Sequence, residues 1–156
     1  MAYTLEAVIG PATLLRAAVQ GQLAAVLVSL PQGLAMVPMT DELFDALTTG
    51  ASGRPLGFWK LPGGFDRVLA AWSSAGPVGY VEAEFFGGVG SQRAALWADG
   101  ELTVGPLSIE EDQSFAEAGS PISQVLRGLG VVRASHYDEF EALNLGRYRR
   151  TTAWLP

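Results

Sequence analysis

Two adjoining stretches, "PVGYVEAEFF" (Pro77 to Phe86) and "RAALWADGELTVG" (Arg93 to Gly105), constrain this chain more than any other part of it. The first alternates with a period of two and is rich in aromatic and β-branched residues. The second reads as two strands joined through Asp99-Gly100, a dipeptide suited to the positive φ values of a tight hairpin. Three consecutive antiparallel strands follow, and a sheet of that kind must bury at least one face.

The cover comes from amphipathic segments. "LPGGFDRVLAAWSSAG" places Phe65, Val68, Leu69 and Trp72 on one helical stripe. Ser120-Pro121 is an N-cap followed by a first-turn proline, with Ile122, Val125, Leu126 and Leu129 behind it up to Gly130. Thr40 caps "DELFDALTTG", and "YDEFEALNLG" predicts a last short helix with Ser135 and Asp138 at capping-box spacing. Before these, Thr4 to Ile9 reads as a first strand and Leu14 to Val19 as a short helix. "LAAVLVSL" and "LAMVPM" then flank the turn "PQG" as a hairpin, and "GASGRPLG" is a loop.

The order β-α-β-β-α-α-β-β-β-α-α predicts an α+β fold in one domain spanning 1–156. The sheet is mostly antiparallel with helices packed on one face, and residues 147–156 form a C-terminal tail whose Trp154 and Leu155 dock. The length suffices to bury roughly 70% of the unfolded surface without staples. "DELFDAL" and "DEFEAL" look alike, but no equal-length repeat surrounds them.

The absence of Cys removes disulfides, thiolate metal sites and a cysteine nucleophile. The net charge is −6, and between Arg93 and Arg127 lie Asp99, Glu101, Glu110, Glu111, Asp112 and Glu117 with no basic residue among them. Such a field repels phosphate backbones and anionic lipid, so neither nucleic acid nor a membrane surface is expected as a partner, and a basic protein is. The longest apolar run, Leu23 to Leu30, has strand length, and "MAYTLEAVIG" lacks the basic n-region of a secretory signal. A cytoplasmic location is the expectation.

"FFGGVGSQ" poses the sharpest functional question. A phosphate cradle needs a helix after its glycines, whereas "RAALW" is a strand, and neither the Walker nor the GxGxxG spacing occurs. No cofactor is expected. Gly87, Gly88 and Gly90 read as a wide turn or bulge whose tip, with Gln92, offers a binding surface. Alternation places Tyr80, Glu82 and Glu84 on one side of their strand. The two carboxylates then stand roughly 6.5 to 7 Å apart, which suits an acid/base pair in a cleft or equally a wet acidic face. His136 is the only imidazole and reads as a capping or surface group.

"YVEAEFFGGVGSQRAALW" and "DEFEALNLGRYR" resemble small bacterial immunity proteins of polymorphic toxin systems. The likeness covers mainly residues 78–98 and 121–150, and its most specific element is the run from Glu84 to Gln92. It implies a cytoplasmic protein that protects its host by binding a partner, and it supplies no catalytic residue. The residues themselves support the same first reading: a protein-binding inhibitor of a basic toxin or enzyme, using Tyr80, Glu82, Glu84, Gly87, Gly88, Gly90, Gln92, Glu110, Glu111, Asp112 and Glu117. A carboxylate enzyme built on Glu82 and Glu84, and an assembly subunit pairing through a sheet edge, are the alternatives.

Overall fold

The computed structural model describes residues 2–48, 50, 53–87 and 89–156. Six strands form one antiparallel sheet: β1 (Ala2–Pro11), β2 (Val28–Ser29), β3 (Leu34–Pro38), β4 (Val78–Phe86), β5 (Val89–Ala98) and β6 (Glu101–Ile109), in the order β2-β3-β1-β4-β5-β6. The helices are α1 (Ala12–Ala18), α2 (Asp41–Leu47), α3 (Phe65–Trp72), α4 (Pro121–Gly128) and α5 (Glu139–Ala142). The succession of elements is the one expected.

Local chemistry explains the boundaries. Thr40 Oγ1 accepts from the Leu43 N–H at 3.1 Å, Ser120 Oγ from the Ser123 N–H at 3.2 Å, and Asp138 Oδ1 from the Glu141 N–H at 2.8 Å. Each satisfies a donor that the first helical turn leaves without a partner. Asp99 (φ 54°) and Gly100 (φ 82°) form the β5–β6 turn between the paired residues Ala98 and Glu101. Two consecutive positive φ values match the right-handed twist of the strands they join.

The helices divide between both faces of the sheet instead of gathering on one. Along β1, the odd-numbered Tyr3, Leu5, Ala7 and Ile9 pack with Ile122, Val125 and Leu126 of α4 and with Ala142, Leu143 and Leu145. The even-numbered Val8 faces the opposite core of Leu15, Leu43, Phe58, Leu61, Phe65 and Leu69, drawn from α1, α2, α3 and the loop before α3. β4 is accordingly buried without a break from Val78 to Ala83, as a strand covered on both sides must be. The one-faced expectation arose from the order of the elements, which does not say to which face each helix returns, and each face of the sheet carries its own core. α4 lies so close to β4 that a Cβ on Gly79 would come within 2.7 Å of Val125 Cγ1.

The run Leu23 to Leu30 contributes only Val28–Ser29 to the sheet, and Leu23 is 99% exposed. Its Leu-Ala-Ala start has weak strand preference, and Ala24, Ala25 and Leu27 instead lean on the second core as irregular chain. The tail docks as expected. Thr4 N–H donates to Arg149 O at 2.9 Å, Glu6 N–H to Thr151 Oγ1 at 3.1 Å, and Trp154 packs on the first core.

Both sheet edges are poor templates for another strand. β2 is two residues long, and β6 carries Pro106, which has no N–H to offer, beside register shifts near Leu96. Among the described residues, no helix is long and apolar enough to cross a membrane.

Candidate functional site

A charged row crosses the three middle strands on the second face. Glu6 of β1 stands opposite Glu82 of β4, which stands opposite Arg93 of β5. The segment Phe58 to Lys60 forms its roof, and Glu82 holds that roof down. The Trp59 N–H donates to Glu82 Oε1 and the Lys60 N–H to Oε2, both at 2.7 Å. The Tyr80 hydroxyl donates to Lys60 O at 2.6 Å and lies 3.2 Å from Glu82 Oε2. Phe58 meets the Tyr80 ring edge-on at 5.0 Å.

Burial pushes the Glu82 carboxyl above the ordinary range, against the two backbone N–H bonds and Arg93, which favour its charge. The same burial, with the Glu82 charge adding to it, drives the Tyr80 hydroxyl far above its ordinary value. Glu6 is also raised, first by burial. Lys60 opposes that shift, while Glu82, Asp41 and Glu84 reinforce it, and Glu6 Oε2 is buried without a hydrogen-bond partner. Lys60 is ion-paired to exposed Asp41. Arg93 lays its guanidinium 4.1 Å over the Trp59 ring and reaches Glu110 Oε1 at 3.2 Å.

This geometry separates the residues singled out in the sequence. Tyr80 and Glu82 are wholly buried, and both Glu82 oxygens are engaged by the roof, so Glu82 and Glu84 do not form an open acid/base pair. Gln92 is buried on the opposite face, where its Oε1 accepts from the Ile122 N–H at 3.0 Å and joins β5 to α4. These three are framework groups and not surface groups. Glu117 is exposed elsewhere, in a depression with Arg127 and Arg133.

Glu84, Glu110, Glu111 and Asp112 do come together. With Trp59, Phe86, Val89 and Ser91 they line an open depression of about 610 Å³, and Val89, Glu110 and Glu111 continue into a second of about 380 Å³ beside Phe115. The hairpin between them is tight. Phe86 pairs directly with Val89, leaving two residues for the turn, of which Gly87 has φ 62° and Gly88 lies outside the described residues. Gly90 is needed for a different reason: a Cβ there would overlap the Glu84 carbonyl and the Phe85 backbone.

Phe86, Val89 and Phe115 are 75%, 53% and 54% exposed and were not foreseen as surface groups. The end of an aromatic strand reads as core, and the sheet's overhang beyond its helical cover leaves Phe86 and Val89 bare, while Phe115 lies in the irregular segment between β6 and α4. Glu6, Lys60 and Arg93 were also missed. The parity of Thr4, Glu6 and Val8 in the first strand was the one available sign of Glu6. His136 sits on the surface, 3.7 Å from Glu141.

Among the described residues, no group of three or more His, Asp or Glu side chains could hold a metal ion. Comparison with protein-family models, with curated proteins and with solved structures found no match to this chain.

Proposed function

We propose that this chain is a protein-binding module that docks a basic protein on the β4–β5 hairpin face, as an inhibitor of the immunity type occluding a toxin or enzyme. The observation that carries this reading is a pair of adjoining depressions at the hairpin end that share Val89, Glu110 and Glu111, one of them adding exposed Phe86 with Glu84 and Asp112 and the other exposed Phe115. Bare aromatic anchors within a charged rim are the composition of a protein interface, where the apolar groups supply affinity. The acids raise the association rate with a basic partner and select against acidic ones.

The net charge of −6 and the resemblance to immunity proteins in the run from Glu84 to Gln92 support the same reading, of which action in the cytoplasm is a part. The engagement of both Glu82 oxygens withdraws support from the carboxylate-enzyme alternative. The short β2 and proline-bearing β6 edges do so for strand-paired assembly.

The test is capture of partners from source lysate by the wild-type chain and by the Phe86→Ser/Phe115→Ser double variant, at low and high salt. The reading expects a basic protein that the wild type retains, that high salt releases, that the double variant fails to hold, and whose activity falls when the wild-type chain is added. Equal retention by the variant would overturn the assignment to this face.

A further inference from the structure

On the same side of the sheet as the roof, further along β1, the helical cover does not close. α1, α2 and α3 surround a cleft of about 370 Å³ whose floor is Val8, Val37 and Met39, all essentially inaccessible to solvent. Interiors pack to near-crystalline density, so a space of this size over a buried apolar floor departs from ordinary packing. Its cause is visible in the wall: Ala18, Ala25, Ala46 and the Gly63-Gly64 pair stand where larger side chains would fill the gap.

We propose that this cleft is a binding site for one small, neutral, apolar molecule bearing at most one hydroxyl or carbonyl group. No ionisable side chain lines it, which removes charged ligands, and its hydrogen-bonding side chains are Gln22 and the indole of Trp72. The volume sets the scale. A helix about 10–12 Å across would fill the space within about one turn, too little for a docked helix or a second copy. A benzene-sized molecule occupies an apolar cavity of about 150 Å³, so this one holds roughly 10 to 15 non-hydrogen atoms. Met39 suits a site that adapts to such ligands, because its thioether reshapes at little cost. This site is independent of the docking reading.

The methionines provide the test. Met39 lines the cleft floor just after β3, while Met36, three residues earlier within β3, packs in the core on the other face. Methyl-labelled methionine spectra are recorded during titration with 1-octanol. The expected result is a saturable shift of the Met39 methyl with Met36 unmoved, and affinity weakened about tenfold or more by Ala18→Leu, which fills the wall. Val68→Phe, at the exposed mouth, provides the same comparison should Ala18→Leu not fold. No Met39 shift, a joint shift of Met36 and Met39, or a response unchanged in the filled variants would overturn the proposal. So would a Met39 shift caused by a captured protein and not by octanol, which would assign the cleft to an inserted side chain.

Discussion

Glu6 and Glu82 face each other directly across the β1–β4 pairing, and both carboxyls are raised above the ordinary glutamate value of 4.5. Like charges in opposed positions destabilise a sheet, and the two glutamates resolve the conflict differently. Glu82 is tied by two backbone donors, whereas Glu6 keeps one buried oxygen without a partner.

Removing the charge at Glu6 therefore stabilises the fold. A carboxyl whose pKa is higher in the folded than in the unfolded chain supports stability in acid and loses that contribution as pH climbs from the unfolded value through the folded one. Glu6→Gln is expected to gain about 1 kcal/mol near neutral pH, after allowing for its partial exposure, and to lose the gain below about pH 4. Urea unfolding at the two pH values measures this, and an equal gain at both would show that the charge is not the cause.

Glu82 carries the opposite expectation. An amide can accept on one atom only, so Glu82→Gln turns an NH₂ toward one of the Trp59 and Lys60 donors. The cost is about 2 kcal/mol, and amide exchange at those two residues accelerates. Unchanged protection there would mean that the roof is held by something other than this carboxylate.

The hairpin glycines separate two kinds of constraint. Gly90→Ala forces backbone apart and should cost about 1–3 kcal/mol. Gly87→Ala meets open space at φ 62° and should cost only about 1 kcal/mol from conformation. Thermal unfolding of the pair gives the order, and a reversal would show that the turn and not the close approach limits the hairpin.

The exposed aromatics should contribute to binding without contributing to the fold. Phe86→Ser/Phe115→Ser is expected to leave stability within about 0.5 kcal/mol of wild type, as surface changes do. A large loss in equilibrium unfolding would return both side chains to a structural role.

Much of the fold was legible because its signals are local. Thr40 and Ser120 announce helix starts by side-chain chemistry alone, and Asp99-Gly100 defines a turn that admits few other residues, while at the last helix the cap is Asp138 and not Ser135 three residues before it. Apart from the run Leu23 to Leu30, which falls short as a strand, the errors concern what covers what. Glu82 alternates correctly with its neighbours, yet its burial depends on Phe58 to Lys60 arriving from more than twenty residues upstream. Gln92 reads as polar and exposed until α4 presents the Ile122 N–H to it. Of the candidate face, the acids were visible as charge, while Phe86 was hidden by its place at the end of an aromatic strand.

β1 is the first strand of the chain and a central one of the sheet, and this orders events at the ribosome. Its neighbour β3 emerges soon after it and β4 much later, while Tyr3 and Thr4 wait for Leu145 and Arg149. Until those residues leave the exit tunnel, one side of β1 is an uncovered row of Tyr3, Leu5, Ala7 and Ile9. Synthesis of this protein thus carries a long interval in which the apolar row of β1 has β3 beside it but no lid, a condition under which incompletely folded chains are exposed to aggregation.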